Sequence, residues 1–290
     1  MAEAAKLGAR QPADEADDEF EPPPDRAGPW PPLLDLAACL RFFSRLPVPA
    51  LPGETDRHAA PDFRTAPRML PVAGALIAVP AALALLGAHG LGLGPFIAAT
   101  LAVLAATLVT GALHEDGLAD VADGFGGGTT PERRIEIMRD SRIGAYGASA
   151  LMLVYALRIG ALATLLDRAG WRTALVLVLA AALSRTAALW PMVHLGPARP
   201  GGASHAVGRP GAAAHATAWG LCLVLALAAG LLGLPWLGLA LAGGLAWLAA
   251  WTLSRLSARL IGGQTGDVVG ACQQVAEVGV LLAMLIALPD

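Results

Sequence analysis

Two stretches without a single Asp, Glu, Lys or Arg, 69–114 and 210–254, constrain this 290-residue chain more than any other feature. Each is more than twice the roughly 20 helical residues that cross a bilayer core of about 30 Å, so each predicts two apolar helices joined by a tight turn. Turn residues stand near the middle of both: Gly90, Gly92, Gly94 and Pro95 in the first, Gly233 and Pro235 in the second. Only 15% of the residues are charged and 56% are hydrophobic, against about a quarter charged in an average soluble domain. With 20 basic and 23 acidic residues, no cationic excess points to nucleic acid. The expected fold class is all-α: a polytopic integral membrane helical bundle.

Apolar stretches extend the pattern to about seven spans, near 70–90, 96–114, 146–166, 172–194, 216–233, 236–256 and 270–288. Residues 1–32 differ, with eight acids, many prolines and few large apolar side chains. Such a segment cannot offset the entropy of ordering its backbone, so a disordered tail is expected ahead of a membrane-embedded catalytic domain over 33–290. Its acids also argue against a signal peptide, which needs a basic start and an apolar core. Residues 33–46 put Leu36, Leu40 and Phe43 on one helical stripe and Arg41 with Arg45 on another, ahead of Pro47 and Pro49. A short amphipathic helix along the membrane surface is expected there, with an eighth short span as the alternative. With a cytoplasmic N-terminus, the basic loop residues fall inside except Arg168 and Arg172, and both Gly- and Asp-rich loops then face the cytoplasm.

The first of those loops reads His114-Glu115-Asp116-Gly117-Leu118-Ala119-Asp120-Val121-Ala122-Asp123-Gly124. At 100° per residue Asp116, Asp120 and Asp123 fall within an arc of about 60°. Three carboxylates on one face repel unless a cation lies between them, and clustered oxygens suit Mg²⁺ or Mn²⁺. The alternative is a solvated acidic helix end, but Gly117 and Gly124 beside the acids favour close approach of a phosphorylated substrate. His114 is a candidate general base, although it lies about 200° from Asp116 on an ideal helix; a structural role is the alternative. Downstream, Arg133, Arg134, Arg139 and Arg142 bracket Asp140, offering forked donors to phosphate or serving as positive-inside anchors. The second loop, Gly262-Gly263-Gln264-Thr265-Gly266-Asp267-Val268-Val269-Gly270, adds a flexible backbone and one more carboxylate. Arg158, Arg185 and Glu277 fall within predicted spans, where ionisable groups are functional or paired; Arg185 is expected to line the site, and Arg158 to snorkel or pair with Glu277.

Five blocks in order carry a family resemblance: RFFSRLPVP at 41–49, HEDGLADVADGF at 114–125, EIMRDSRIGAYG at 136–147, Ser184-Arg185, and GGQTGDVVGA at 262–271. Together they resemble the cobalamin synthase family, the adenosylcobinamide-GDP ribazoletransferases, over roughly 34–288. The resemblance implies a Mg²⁺-dependent enzyme of the bacterial inner membrane with its site toward the cytoplasm. It implies that α-ribazole, or its 5'-phosphate, displaces GMP from adenosylcobinamide-GDP to give adenosylcobalamin or its 5'-phosphate. On that reading Asp116, Asp120 and Asp123 hold the metal. Arg45, Arg139, Asp140, Arg142, Arg185, Gln264, Thr265 and Asp267 are the candidate substrate contacts, with Asp267 a possible fourth metal-binding acid. Membrane lipid is an expected partner, and a homo-oligomer stays open.

One departure from the family pattern lies at Ala203-Ser204, where Leu-Gly is expected; the loop 196–215 reads either as a lid over the corrinoid or as a connection. Cys39, Cys222 and Cys272 lack metal-ligand spacing and read as small apolar residues. A CDP-alcohol phosphotransferase would continue Asp-Gly-x-x-Ala-Arg, where this chain has Asp120 at the alanine place. A prenyltransferase would need a second acid-rich block, and a transporter a repeat between halves that the chain lacks.

Overall fold

The structure, a computed structural model, describes residues 32–52, 54, 56, 60–198 and 208–288. The acidic tail, Pro32 apart, lies outside the described residues, as does the 199–207 part of the loop read as lid or connection. Among the described residues there are helices and no strand. In chain order they are α1 (Pro32–Phe43), α2 (Leu70–Gly90, entered through a 3-10 turn at Ala66–Met69), α3 (Pro95–Thr110), α4 (Leu113–Gly127), α5 (Pro131–Ile137) and α6 (Ala145–Ala169). There follow α7 (Arg172–Ala187), α8 (Leu189–His194), α9 (Ala212–Leu231), α10 (Trp236–Ile261) and α11 (Gly266–Ala287).

Six helical segments are long and apolar enough to cross a membrane: α2 with its 3-10 turn, α6, α7 with α8, α9, α10 and α11; α3 and α4 make a seventh if the bent pair is one span. The charge-free gaps therefore do hold two helices each. The difference from the expected spans lies at 96–114, where the helix stops at Thr110 and α4 departs at 90°. Gly111 and Ala112 both take the left-handed conformation, at φ 64° and 60°. The N–H of Gly111 donates to Leu108 O and that of Ala112 to Thr107 O, a paired closure that satisfies the last carbonyls of α3 and turns the chain. Placing the Ala112 Cβ in that region costs about 1 kcal/mol.

The packing suits helices in lipid, where association rests on close contact between small side chains. Ala73, Ala81, Ala98, Ala102, Ala182 and Ala276 are fully buried, whereas Leu83, Phe96, Leu153 and Leu231 point outward. The amphipathic helix is present as α1, but its 12 residues rise only about 18 Å, too short for the alternative eighth span. Its apolar side, with Cys39 and Phe43, packs on Phe63, Leu70 and Met192, and Asp35 pairs with Arg68 at 2.5 Å. All three cysteines are buried and free, though only Cys272 is packed purely among apolar groups: Cys39 donates to Ala66 O at 3.3 Å and Cys222 meets the Thr186 hydroxyl at 3.1 Å. Because the long helices alternate in direction, the C-termini of α3, α7 and α10 and the N-termini of α6, α9 and α11 gather with α4 at one end of the bundle.

Candidate active site

At that end α4 and α11 approach to backbone contact. A Cβ added at Gly117 would stand 2.9 Å from the Asp267 carbonyl oxygen and 3.0 Å from its Cα, so only a residue without a side chain lets the helices meet there. The meeting brings Asp267, in the first turn of α11, beside the acid face of α4. The charges of Asp116, Asp267 and Asp123 all bear on Asp120. Asp116 is exposed, while Asp120 and Asp267 are half-buried. Thr265 starts α11, its hydroxyl oxygen accepting from Val268 N and its O–H donating to Asp267 Oδ2, both at 3.3 Å. One aligned acid stripe on α4, as its spacing implies, is thus joined by a fourth carboxylate from a second helix.

Asp123 departs from the shared-ligand expectation. Both of its carboxylate oxygens accept backbone N–H groups at the start of α6, from Gly144 at 2.7 Å and Gly147 at 2.9 Å. A carboxylate there satisfies two of the four amides a helix leaves unpaired and meets the positive end of its dipole. Asp123 therefore links the HEDGLADVADGF block to the EIMRDSRIGAYG block, leaving Asp116, Asp120 and Asp267 as the acids open to a ligand.

Beneath the acid face lies a buried ionic network that ties α4, α6, α7 and α11 together. Arg158 of α6 reaches Glu115 Oε1 at 3.0 Å through Nη1 and Glu277 Oε1 at 2.8 Å through Nη2. Its Nη1 also donates to Gln274 at 3.3 Å. Gln273 donates to Glu277 at 2.6 Å and to Ser184 at 3.0 Å, and Gln274 donates to Gln273 at 3.0 Å. Arg185 adds a second buried guanidinium, donating to Ala181 O at 3.1 Å. Two arginines and two glutamates leave the cluster neutral, which is how charge survives inside a bundle of this kind. They surround a cavity of about 30 Å³, also lined by Thr110 and His114. That space admits water but no substrate.

The network answers one question and corrects two expectations. Arg158 does pair with Glu277 rather than snorkel. Arg185 lines the buried cavity, not the acid face. His114 is also buried, its ring stacked on Phe43 at 6.0 Å and 8°, with the Gly270 turn of α11 against its backbone. It is on the far side of α4 from Asp116, as the 200° offset implies, and the structure does not bring it to the acids as a base.

The remaining candidates divide. Arg45 is exposed at the α3–α4 corner, its guanidinium lying on Gly111 and its backbone N–H donating to Val109 O at 2.7 Å. Asp140 and Arg142 pair with each other at 2.6 Å on the surface. The hydrogen bonds from the Arg142 side chain and backbone hold the Asp140 carboxyl at about 2, so this pair stays charged throughout the neutral range. Arg139 is exposed beside them. Arg133 pairs with Glu136 at 2.7 Å, and Arg134 donates to Leu260 O at 3.2 Å, tying α5 to α10. Gln264 and Thr265 are buried; the Gln264 backbone bonds to Gly196 and Ala198, both at 2.9 Å, and so fixes the loop after α8 against the loop before α11. Sequence reasoning missed Glu115, Gln273 and Gln274. Glu115 looked like part of the acid run, and its one signal was its position a third of a turn off the stripe.

Among the described residues no three or more His, Cys, Asp or Glu side chains are grouped so as to hold a metal ion on their own. Mg²⁺ is commonly held by only one or two carboxylates, the rest of its shell coming from water and substrate phosphates, an arrangement that asks for no more than two of Asp116, Asp120 and Asp267. Residues 35–285 match the family model described as cobalamin-5-phosphate synthase. A curated adenosylcobinamide-GDP ribazoletransferase of Azorhizobium caulinodans is 52% identical, covering 88% of this chain and 96% of the relative. Those of Xanthobacter autotrophicus and Sinorhizobium medicae are 49% and 44% identical, over 87% and 88% of this chain and 96% and 97% of their own. No solved structure matches.

Proposed function

The chain belongs to the cobalamin-5-phosphate synthase family, transferases of cobalamin nucleotide-loop assembly, and on that premise we propose that it joins adenosylcobinamide-GDP to α-ribazole or its 5'-phosphate. The observation that carries the site is the Gly117–Asp267 contact, which sets an acid of α11 beside Asp116 and Asp120 of α4. The ribazole hydroxyl oxygen forms a bond to the phosphorus attached to cobinamide, the bond from that phosphorus to the bridging oxygen breaks, and GMP leaves with the electron pair. The hydroxyl proton passes to a carboxylate of the cluster; a loose, metaphosphate-like transition state asks little of that base. Mg²⁺ held by Asp116 and Asp120, with Asp267 beside them, would neutralise the pyrophosphate and the departing phosphate. Arg45, exposed at the corner where α4 begins, is placed to meet a substrate phosphate with its guanidinium fork. Asp123 holds α4 in register with α6 and takes no direct part.

We place the acid end on the cytoplasmic face of a bacterial inner membrane, a reading supported by the basic residues that gather in its loops. The family match leaves no role for the CDP-alcohol, prenyl-transfer or transport readings. The test is product identity: detergent-purified chain given adenosylcobinamide-GDP with either α-ribazole or its 5'-phosphate should release one GMP for each adenosylcobalamin, or its 5'-phosphate, formed. Folded protein that forms neither product from either nucleoside would overturn the reading.

A further inference from the structure

On another side of the bundle, six rings from three helices turn toward one another. Trp190 and His194 of α8 stack at 3.8 Å. Trp190 meets Trp247 of α10 edge-on at 6.0 Å, and His215 of α9 at 6.5 Å. His215 and Trp219 of α9 lie 6.4 Å apart, and Trp247 and Trp251 stack at 6.1 Å. Arg255 continues the α10 stripe, its guanidinium 5.5 Å from the Trp251 ring centre. Although α9 and α10 are joined by the short turn at 232–235, they barely touch: α9 packs on α7 and α2, α10 on α11, and among the described residues these rings stand between them. Trp247 and Trp251 nonetheless stay 42% and 37% exposed. An aromatic belt marks the ends of spans, which describes Trp236 and Trp171, but Trp247 stands near the middle of α10.

The two imidazoles give the wall a defined hydrogen-bonding polarity. His194 Nδ1 lies 2.9 Å from Trp190 O, which only accepts, so Nδ1 carries the proton and Nε2 of the neutral ring is an acceptor. His215 Nε2 accepts from Trp219 Nε1 at 3.0 Å, so its proton is on Nδ1, a donor. An acceptor and a donor on rings 6.4 Å apart match a primary carboxamide, which offers both. The wall also abuts the site. The segment after α8 is bonded to Gln264; the α10 stripe runs from Trp247 through Arg255 toward Asp267; and the other side of α8, Leu189 and Met192, packs near Phe43 and Val269.

We infer that this wall seats the corrin macrocycle of the cobinamide substrate, an inference that rests on the reaction proposed above. A corrin is a large, nearly planar disc fringed with primary amides. Stacked indoles take its face, the His194–His215 pair takes an amide of its rim, and Arg255 is the cation on the path from the ring to the phosphates.

The test separates ring binding from chemistry by using adenosylcobinamide, which carries no nucleotide, in equilibrium dialysis against the full detergent-purified chain. Wild type should bind it saturably. Trp247→Leu and His194→Ala should each weaken binding about tenfold or more; Trp171→Leu, at the opposite end of the bundle, should not. His194 is exposed, so its variant keeps the test open if Trp247→Leu does not fold. In turnover both wall variants should raise the KM for adenosylcobinamide-GDP and leave the KM for ribazole unchanged. Equal affinity in wild type and both variants overturns the subsite while leaving the reaction standing. A wild type that neither binds the ring nor forms cobalamin removes both.

Discussion

At the residue scale, four aspartates from two distant blocks of sequence gather at one end of the bundle and do two different jobs. Asp116 and Asp120 face outward from α4, Asp267 joins them from α11, and Asp123 spends both carboxylate oxygens on the amides of Gly144 and Gly147. Substitution by Asn separates these roles, because an amide keeps one acceptor oxygen but loses the charge. Asp116→Asn should lower GMP release about a hundredfold or more. Asp123→Asn should keep most turnover and the same Mg²⁺ requirement, with a loss of stability of about 1–3 kcal/mol from the weakened cap. Matching losses of Mg²⁺ dependence in both variants, read from metal titrations, would make Asp123 a ligand after all. The stripe itself was legible in the i, i+4, i+7 spacing. The division of labour was not, because nothing local to α4 shows that the glycines of a later block would bring amides to the third acid.

At the scale of elements, the site depends on two helices being held together from below. Arg158 grips Glu115 of α4 and Glu277 of α11, the helices that carry the open acids. Removing one partner of a buried pair leaves charge without compensation, at about 3–5 kcal/mol, whereas neutralising all of them together costs much less. Arg158→Met should therefore lower the thermal unfolding midpoint in detergent markedly, and Arg158→Met combined with Glu115→Gln, which leaves Arg185 and Glu277 to balance each other, should recover much of it. A double variant as unstable as the single one would show that the ion pairs do not carry the clamp. Sequence exposed Arg158 and Glu277 because charge inside an apolar span is conspicuous. It hid Glu115, whose neighbours are also acidic, and it hid the 90° corner at Gly111 and Ala112, since the apolar run continues through Leu113 and only the backbone turns.

At the scale of the whole molecule, the hairpin count followed from the charge-free gaps because lipid imposes a length on each crossing. The splay of α9 from α10 did not follow, since hydropathy says how long a helix is and not which neighbour it chooses. Sidedness gives a direct check of the arrangement. With the native cysteines buried, a cysteine at Leu91, between α2 and α3, should react with a membrane-impermeant maleimide in intact spheroplasts, and one at Thr129, beside α4, should react only after the membrane is opened. The reverse pattern would put the acid end outside. The central claim, that the meeting of α4 and α11 forms a metal-assisted phosphoryl-transfer site, is tested most directly by titrating Mg²⁺ into chelator-treated wild type, Asp116→Ala and Asp267→Ala while following GMP release. Saturable restoration is expected in wild type, none in Asp116→Ala and a weakened response in Asp267→Ala. GMP release that survives chelation, or that responds to Mg²⁺ equally in all three proteins, would contradict it.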